Sequence, residues 1–167
     1  MNNITYRYAK ETDQSNINDL FIEMIQTVID RMPEEDSLIY VPLLKGYEEG
    51  YLDAFFIDEN KRILVADFNN NVVGYLSLCM YKESDYLYLD DFCVTKEHQG
   101  DGIGSKLIDM AIEYAKEYGI NNIRAHVEKF NSQSIEFYSK RGFEVVEDDN
   151  NRLLINKKVG MKYDRVR

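Results

Sequence analysis

From 93 to 107 the chain reads CVTKEHQGDGIGSKL, with glycines at 100, 102 and 104 between a run of strand formers and an amphipathic helical pattern. Backbone so poor in side chains can approach a ligand closely, and the first amides of a helix, which have no acceptor inside it, favour an anion such as a phosphate. Spacing excludes two nucleotide loops. A dinucleotide fingerprint requires GxGxxG, whereas Gly100, Gly102 and Gly104 run GxGxG with Ser105 in the third glycine's place; a Walker loop requires Gly-Lys followed by Ser or Thr, which is absent. A glycine-rich turn that merely feeds a helix would use the same residues, so the loop alone leaves both readings open.

Other residues have types and spacings suited to proton transfer. In IRAHVEKF, strand alternation puts Arg124, His126 and Glu128 on one face and Ile123, Ala125 and Val127 on the other. A histidine near its ordinary pKa of about 6.5 can take a proton from an ammonium group, directly or through water; it can equally be a satisfied, half-buried side chain. Asp90 and Asp91 are adjacent and point to opposite strand faces unless a bulge intervenes, so one can face a cleft as base or cation anchor, or both can sit at a solvated strand end. Asn131 is placed to cap a helix starting at Ser132 or to hydrogen-bond a ligand. Cys93 is expected to be a small buried hydrophobe rather than a nucleophile. With Cys79 as the second cysteine and only His98 and His126, no disulfide framework or zinc spacing exists, and no metal is expected. His98 is expected to be exposed in the loop before Gln99.

The elements that must hold these residues follow from periodicity. A strand over 4–9 leads to a helix capped by Asp13 or Ser15, carrying Ile17, Leu20, Phe21, Met24, Ile25, Val28 and Ile29 and ending before Pro33. PEEDSLIYVP reads as a loop and 43–56 as a second, less regular helix weakened by Gly46 and Gly50. RILVADFNNNVVGYLSLCMY reads as a hairpin turning at Asn69 to Asn71, and DYLYLDDFCV as the next strand. From Gly104 a 3.6-residue period puts Leu107, Ile108, Ala111, Ala115 and Tyr118 on one face, with Gly119 as its stop. A strand NIRAHV, a short helix ended by Gly142 and a closing hairpin pair FEVVE and RLLINKKV complete a mixed α/β pattern, an α+β sheet flanked by helices. EVVEDDNN also reads as a solvated turn.

The 167 residues carry 44% hydrophobic side chains, enough for one core, with no linker, repeat or low-complexity tract, so one domain over 1–167 is expected. The formal charge of -10 repels phosphate backbones and anionic membranes, which argues against nucleic acid and membrane partners. The N-terminal MNNITYRYAKETDQ has no signal pattern and the C-terminal YDRVR no lipidation cysteine, so a cytoplasmic protein is expected. Tyr47, Tyr51 and Phe55 are expected to be exposed aromatics that permit either a monomer or a homodimer.

The segment from 93 to 146 closely resembles the acetyl-CoA-binding core of the GNAT superfamily, the GCN5-related N-acetyltransferases. Gln99, Gly102 and Gly104 match the family's [RQ]xxGxG signature and Val94 the strand residue five positions earlier; Asn131, Tyr138, Gly142 and Phe143 match the following Nx6YxxxGF pattern. The resemblance is strong over 90–146, weak over 4–20 and absent over 26–57. It implies a mostly antiparallel sheet splayed between strands 4 and 5 and flanked by about four helices. It implies acetyl-CoA as co-substrate, its pyrophosphate cradled by the backbone of Gln99, Gly100, Asp101, Gly102, Ile103, Gly104 and Ser105, with Asn131 near its pantetheine. The pantetheine would pair with the backbone of Phe92, Cys93 and Val94, one of whose amides would stabilise the oxyanion. Asp101 departs from the basic or neutral residue usual in the family.

The resemblance further implies direct acetyl transfer to a primary amine of a small molecule or peptide, with Tyr138 protonating the leaving thiolate and His126 standing where some family members carry a basic glutamate. Tyr138 is otherwise a core aromatic. Asp90, Asp91 and Glu128, with the acidic runs, suggest a cationic acceptor. The alternative is a catalytically silent acetyl-CoA-binding regulatory module.

Overall fold

The computed structural model describes residues 3–160; Met1, Asn2 and the C-terminal YDRVR lie outside the described residues. Seven strands form one sheet in the order β1-β2-β3-β4-β5-β7-β6. The strands are β1 (Ile4–Tyr8), β2 (Lys61–Phe68), β3 (Asn71–Tyr81), β4 (Tyr86–Val94), β5 (Asn122–Glu128), β6 (Glu144–Asp149) and β7 (Arg152–Lys158). The β1–β2, β5–β7 and β6–β7 pairs are antiparallel, and β4–β5 is parallel. This is the mixed sheet with flanking helices expected from the pattern of elements. The parallel register runs from Tyr86–Asn122 to Leu89–Ala125, and both strands continue past it. Contacts group the chain into two compact units, one of residues up to 77 with 92–107, the other of 78–91 with residues from 108 on.

The first unit contains α1 (Gln14–Ile29), whose Ile17, Leu20, Phe21 and Ile25 are buried at helical spacing. Each such side chain contributes about 1.5–3 kcal/mol on leaving water. Asp13 precedes α1 but does not cap it. Its carboxylate accepts from Arg7 Nη1 at 2.7 Å and from the Lys10 amide at 2.7 Å, while Arg7 Nη2 also reaches Asp67 at 2.8 Å. The bonds from Arg7 hold Asp13 below the usual carboxylate range. The cluster ties β1 to β2 and to the turn before α1.

The expected loop at 33–42 is helical instead, with α2 (Glu34–Ser37), a 3-10 turn (Leu38–Tyr40) and α3 (Val41–Glu48) opening on a proline, which helix starts tolerate. Gly50, at φ 95, leaves the right-handed helical region and ends that run, so the expected helix at 43–56 is split, continuing through a 3-10 turn (Tyr51–Asp53) into α4 (Ala54–Ile57). Tyr47 and Phe55, expected to be exposed, are each 3% accessible, and only Tyr51 of the three faces solvent. Tyr47 stacks on Phe21 of α1, with centroids 3.5 Å apart. The β2–β3 hairpin turns through Asn69 and Asn70, both at positive φ, as the tightest hairpin turns require.

In the second unit, α5 (Ile103–Glu117, entered from the first unit) buries Ile108, Ala111, Tyr114 and Ala115. Tyr118, assigned to this face from periodicity, lies beyond the helix end and is 45% exposed, its ring 4.7 Å from that of Tyr114. Gly119, at φ 70, supplies the stop. α6 (Ser132–Ser139) follows β5. EVVEDD forms strand β6 of the expected closing hairpin rather than a solvated turn, exposed at all six positions and bulged between Val145 and Glu147. Pairing with β7 rather than burial makes it a strand, and its charges suit a sheet edge.

Candidate active site

The glycine loop belongs to the first unit. Gly100 and Gly102 adopt φ 89 and 80, values that side chains disfavour, and a Cβ at either would meet no protein atom within 4 Å. The space before them is open, so the loop fits a group bound through backbone. The amide of Lys106 bonds to the Gly102 carbonyl in the first turn of α5, and helix geometry directs the amides ahead of it beyond the helix end. Gln99 Nε2 donates to the Val94 carbonyl at 3.1 Å, pinning the loop to the end of β4. Gly74 on β3 sets the depth of the α5 start: a Cβ there would come within 3.0 Å of Ile103 Cγ2 and 3.3 Å of the Cys93 carbonyl.

His98 is not the exposed loop histidine expected; its side chain is 14% accessible and its ring lies 5.3 Å from that of Phe68. Its Nδ1 stands 3.4 Å from Asp101 Oδ2. The half-exposed Asp101 therefore directs its charge toward His98 and solvent, which eases the conflict between that carboxylate and a bound anion. Phe92 and Val94 are half-buried, Ser105 is half-buried in the first turn of α5, and the Cys93 thiol is buried, its Sγ 3.8 Å from the Leu20 carbonyl. That direction suits a core side chain, as expected.

The titratable candidates belong to the second unit. β5 alternates as expected, with Ile123, Ala125 and Val127 buried and Arg124, His126 and Glu128 on the other face. His126 is exposed, and its Nδ1 lies 2.7 Å from the hydroxyl of Tyr88, which the sequence reading passed over. The two rings meet edge to face at 5.7 Å. Tyr88 stands opposite Arg124 in the β4–β5 register, on the same strand face as Asp90. Burial, then Asp90, pushes the Tyr88 phenol up to about 12. Partial desolvation, then the charge of Arg152, holds His126 below its ordinary 6.5, against the pull of Glu147 and Asp149. The neutral, proton-accepting form is thereby favoured.

Tyr138 is buried on α6 between Phe137 and Phe143, with ring centroids 5.4 and 5.1 Å away. Burial and the neighbouring Tyr88 raise its pKa above the usual phenol value. Asn131 caps α6, its Oδ1 accepting from the Ser134 amide at 3.1 Å. Glu128 stands opposite Arg152 across β5 and β7. Asp90 and Asp91 are both half-buried. The second unit thus groups His126, Tyr88, Asp90 and Tyr138, whereas Phe92 to Val94 and the glycine loop belong to the first.

Residues 23–143 match the family model described as the acetyltransferase (GNAT) family. The chain belongs to that family. Among its GNAT relatives, streptothricin acetyltransferase A of Bacillus subtilis (strain 168) is 27% identical over 103 residues, a match covering 61% of this chain and only 59% of that protein. L-methionine sulfoximine/L-methionine sulfone acetyltransferase of Salmonella typhimurium (strain LT2) is 30% identical over 149 residues, covering 85% and 81%. The crystal structure of the PaiA N-acetyltransferase from Thermoplasma acidophilum, in complex with coenzyme A, superposes with a TM-score of 0.80 over 93% of this chain and 99% of that one, at 22% identity. At that identity the likeness is one of fold.

Proposed function

We propose that the protein is an acetyl-CoA-dependent N-acetyltransferase that transfers the acetyl group directly to a primary amine of a small molecule or peptide, in the cytoplasm. The observation that carries this reading beyond a silent cofactor-binding module is the buried phenol of Tyr138 near a tyrosine whose hydroxyl meets His126. A binding module has no use for an acid and a base. Acyl transfer needs three things: an amine relieved of its proton, a stabilised oxyanion, and a proton for the departing thiolate.

The backbone from Gln99 to Ser105 holds the pyrophosphate, supported by the open space before Gly100 and Gly102. Asn131 orders the start of α6. A backbone amide among Phe92 to Val94 stabilises the oxyanion. His126 takes the amine proton at Nε2, directly or through water. For that, Nδ1 carries its hydrogen and donates it to the Tyr88 oxygen, which leaves the Nε2 lone pair available. Tyr138, kept protonated by its raised pKa, donates to the thiolate. Acetyl-CoA supplies the activated carbonyl when bound.

A thiol-release screen across polyamines, aminoglycosides, amino acids and N-terminal peptides tests the reading. Release of CoA with at least one amine is expected; tight acetyl-CoA binding without release on any would favour the silent module. Two variants test the parts. Gly104→Val is expected to crowd the pyrophosphate and raise the KM for acetyl-CoA at least about tenfold, roughly 1.4 kcal/mol, with the melting temperature little changed. An unaltered KM in the folded variant would remove the loop from the site. Asp90→Asn is expected to raise the acceptor's KM about threefold to tenfold, more than that for acetyl-CoA, with added salt reproducing part of the loss. A larger effect on acetyl-CoA would place Asp90 on the wrong substrate.

A further inference from the structure

We infer that Arg124 binds a carboxylate of the acceptor, so that the amine acetylated belongs to an amino acid or another small carboxylated amine. This rests on the acetyltransferase reading and adds the acceptor's second functional group. Arg124 is half-buried on β5, yet among the described residues its guanidinium makes no ion pair. Its contacts are neutral. Nε donates to Asn156 Oδ1 at 3.2 Å, and Cζ lies 4.7 Å from the centroid of the Tyr86 ring. Asn156 is held in turn by donating from Nδ2 to Asn122 Oδ1 at 3.2 Å.

A guanidinium anchored at Nε and laid on an aromatic ring is pre-organised, and its Nη1 and Nη2 groups have the fork geometry that matches a carboxylate. In a protein of net charge -10, a half-buried cation left with neutral neighbours is an unusual expense. The acidic groups around it are otherwise placed. Asp85 accepts from Asn121, and Glu144, opposite Asn156 in the β6–β7 register, is exposed. Asp90 lies further along β4, past Tyr88, on the same strand face as Tyr86.

Location gives the cation its meaning. Arg124 and His126 share a strand face, about 6.6 Å apart along β5. An acceptor whose ammonium end approaches His126 and Asp90 can therefore extend an anionic end toward Arg124. A diamine would bring a second positive charge to the guanidinium, which is repulsive, so the geometry selects a zwitterion over a polyamine.

The test pairs amino acids with the amines left by their decarboxylation, lysine with cadaverine, ornithine with putrescine and methionine with its thioether amine, and follows CoA release. The best pair should favour the carboxylated member at least about tenfold in kcat/KM, the scale of a charge-assisted bidentate contact. Arg124→Gln should erase that preference, the loss falling on the carboxylated member and mainly on KM, while Arg124→Lys should keep part of it. Acetyl-CoA KM and melting temperature, measured alongside, report folding. Equal turnover of both members by wild type, or an equal loss on both in Arg124→Gln, would overturn the inference and leave the acetyltransferase reading standing. No release with any amine in this panel or the wider screen would overturn both.

Discussion

Tyr138→Phe is expected to lower kcat about a hundredfold or more, the contribution of a positioned general acid, while the melting temperature stays close to that of the wild type. The two readouts separate because the ring and the hydroxyl do different work. Phe keeps the ring contact with Phe137 and the contact with Phe143, which lies beyond the end of α6. It removes the hydroxyl and with it the proton that the thiolate would take. Because burial and Tyr88 raise the phenol's pKa, Tyr138 remains protonated beyond pH 10, and no loss of rate on its account is expected below that. Steady-state kinetics of the folded variant decide the matter: wild-type turnover would reduce Tyr138 to a core aromatic, with water or another residue supplying the proton.

His126→Gln is expected to cost about a hundredfold in kcat/KM at neutral pH and to change the shape of the pH profile as well as its height. The imidazole acts as a base only when neutral. Partial desolvation and Arg152 lower its pKa, so the wild-type rate should fall on acidification with a midpoint below 6.5. In the Gln variant that limb should vanish. A variant that kept the limb would assign it to another group, such as Asp90 on the Tyr88 face or Glu147 and Asp149, whose charges act on His126. The same shift bears on stability: the unfolded chain, with its histidine near 6.5, binds the proton first, so His126 makes folding less favourable as pH drops from 6.5 through its lowered value. The pH–rate profile must therefore be read alongside a melting curve at each pH.

The parts legible in the sequence were those encoded locally. Glycines at 100, 102, 119 and 142 mark positions that all adopt positive φ. The period of α5 and the Asn131 cap are likewise written into neighbouring residues. What escaped was set by partners distant in sequence. Tyr47 sits among glutamates and reads as exposed, but its partner Phe21 lies on α1, and only the fold brings the rings together. Asp13 stands where a cap belongs, yet Arg7 and the Lys10 amide claim its oxygens. Tyr88 looked like one tyrosine among 13 because its bond to His126 depends on the β4–β5 register, which no local pattern specifies. Arg124 was visible as a neighbour of His126 on one strand face; its lack of an acidic partner was not, since that depends on Asn156 and Tyr86 arriving from two other strands.

The chain has only two cysteines, and both are buried, Cys79 at 8% and Cys93 at 9% accessibility. Reaction with a disulfide reagent needs an accessible thiolate, and burial in apolar surroundings opposes both access and ionisation. A chromogenic disulfide added to the native protein should therefore find CoA as its principal thiol, and colour should count turnovers from the first seconds with little background from the protein. The same reagent becomes a probe of integrity when substrates are left out. Slow colour then reports opening of the core around β3 and β4, so one cuvette can distinguish a variant that has lost its chemistry from one that has lost its fold.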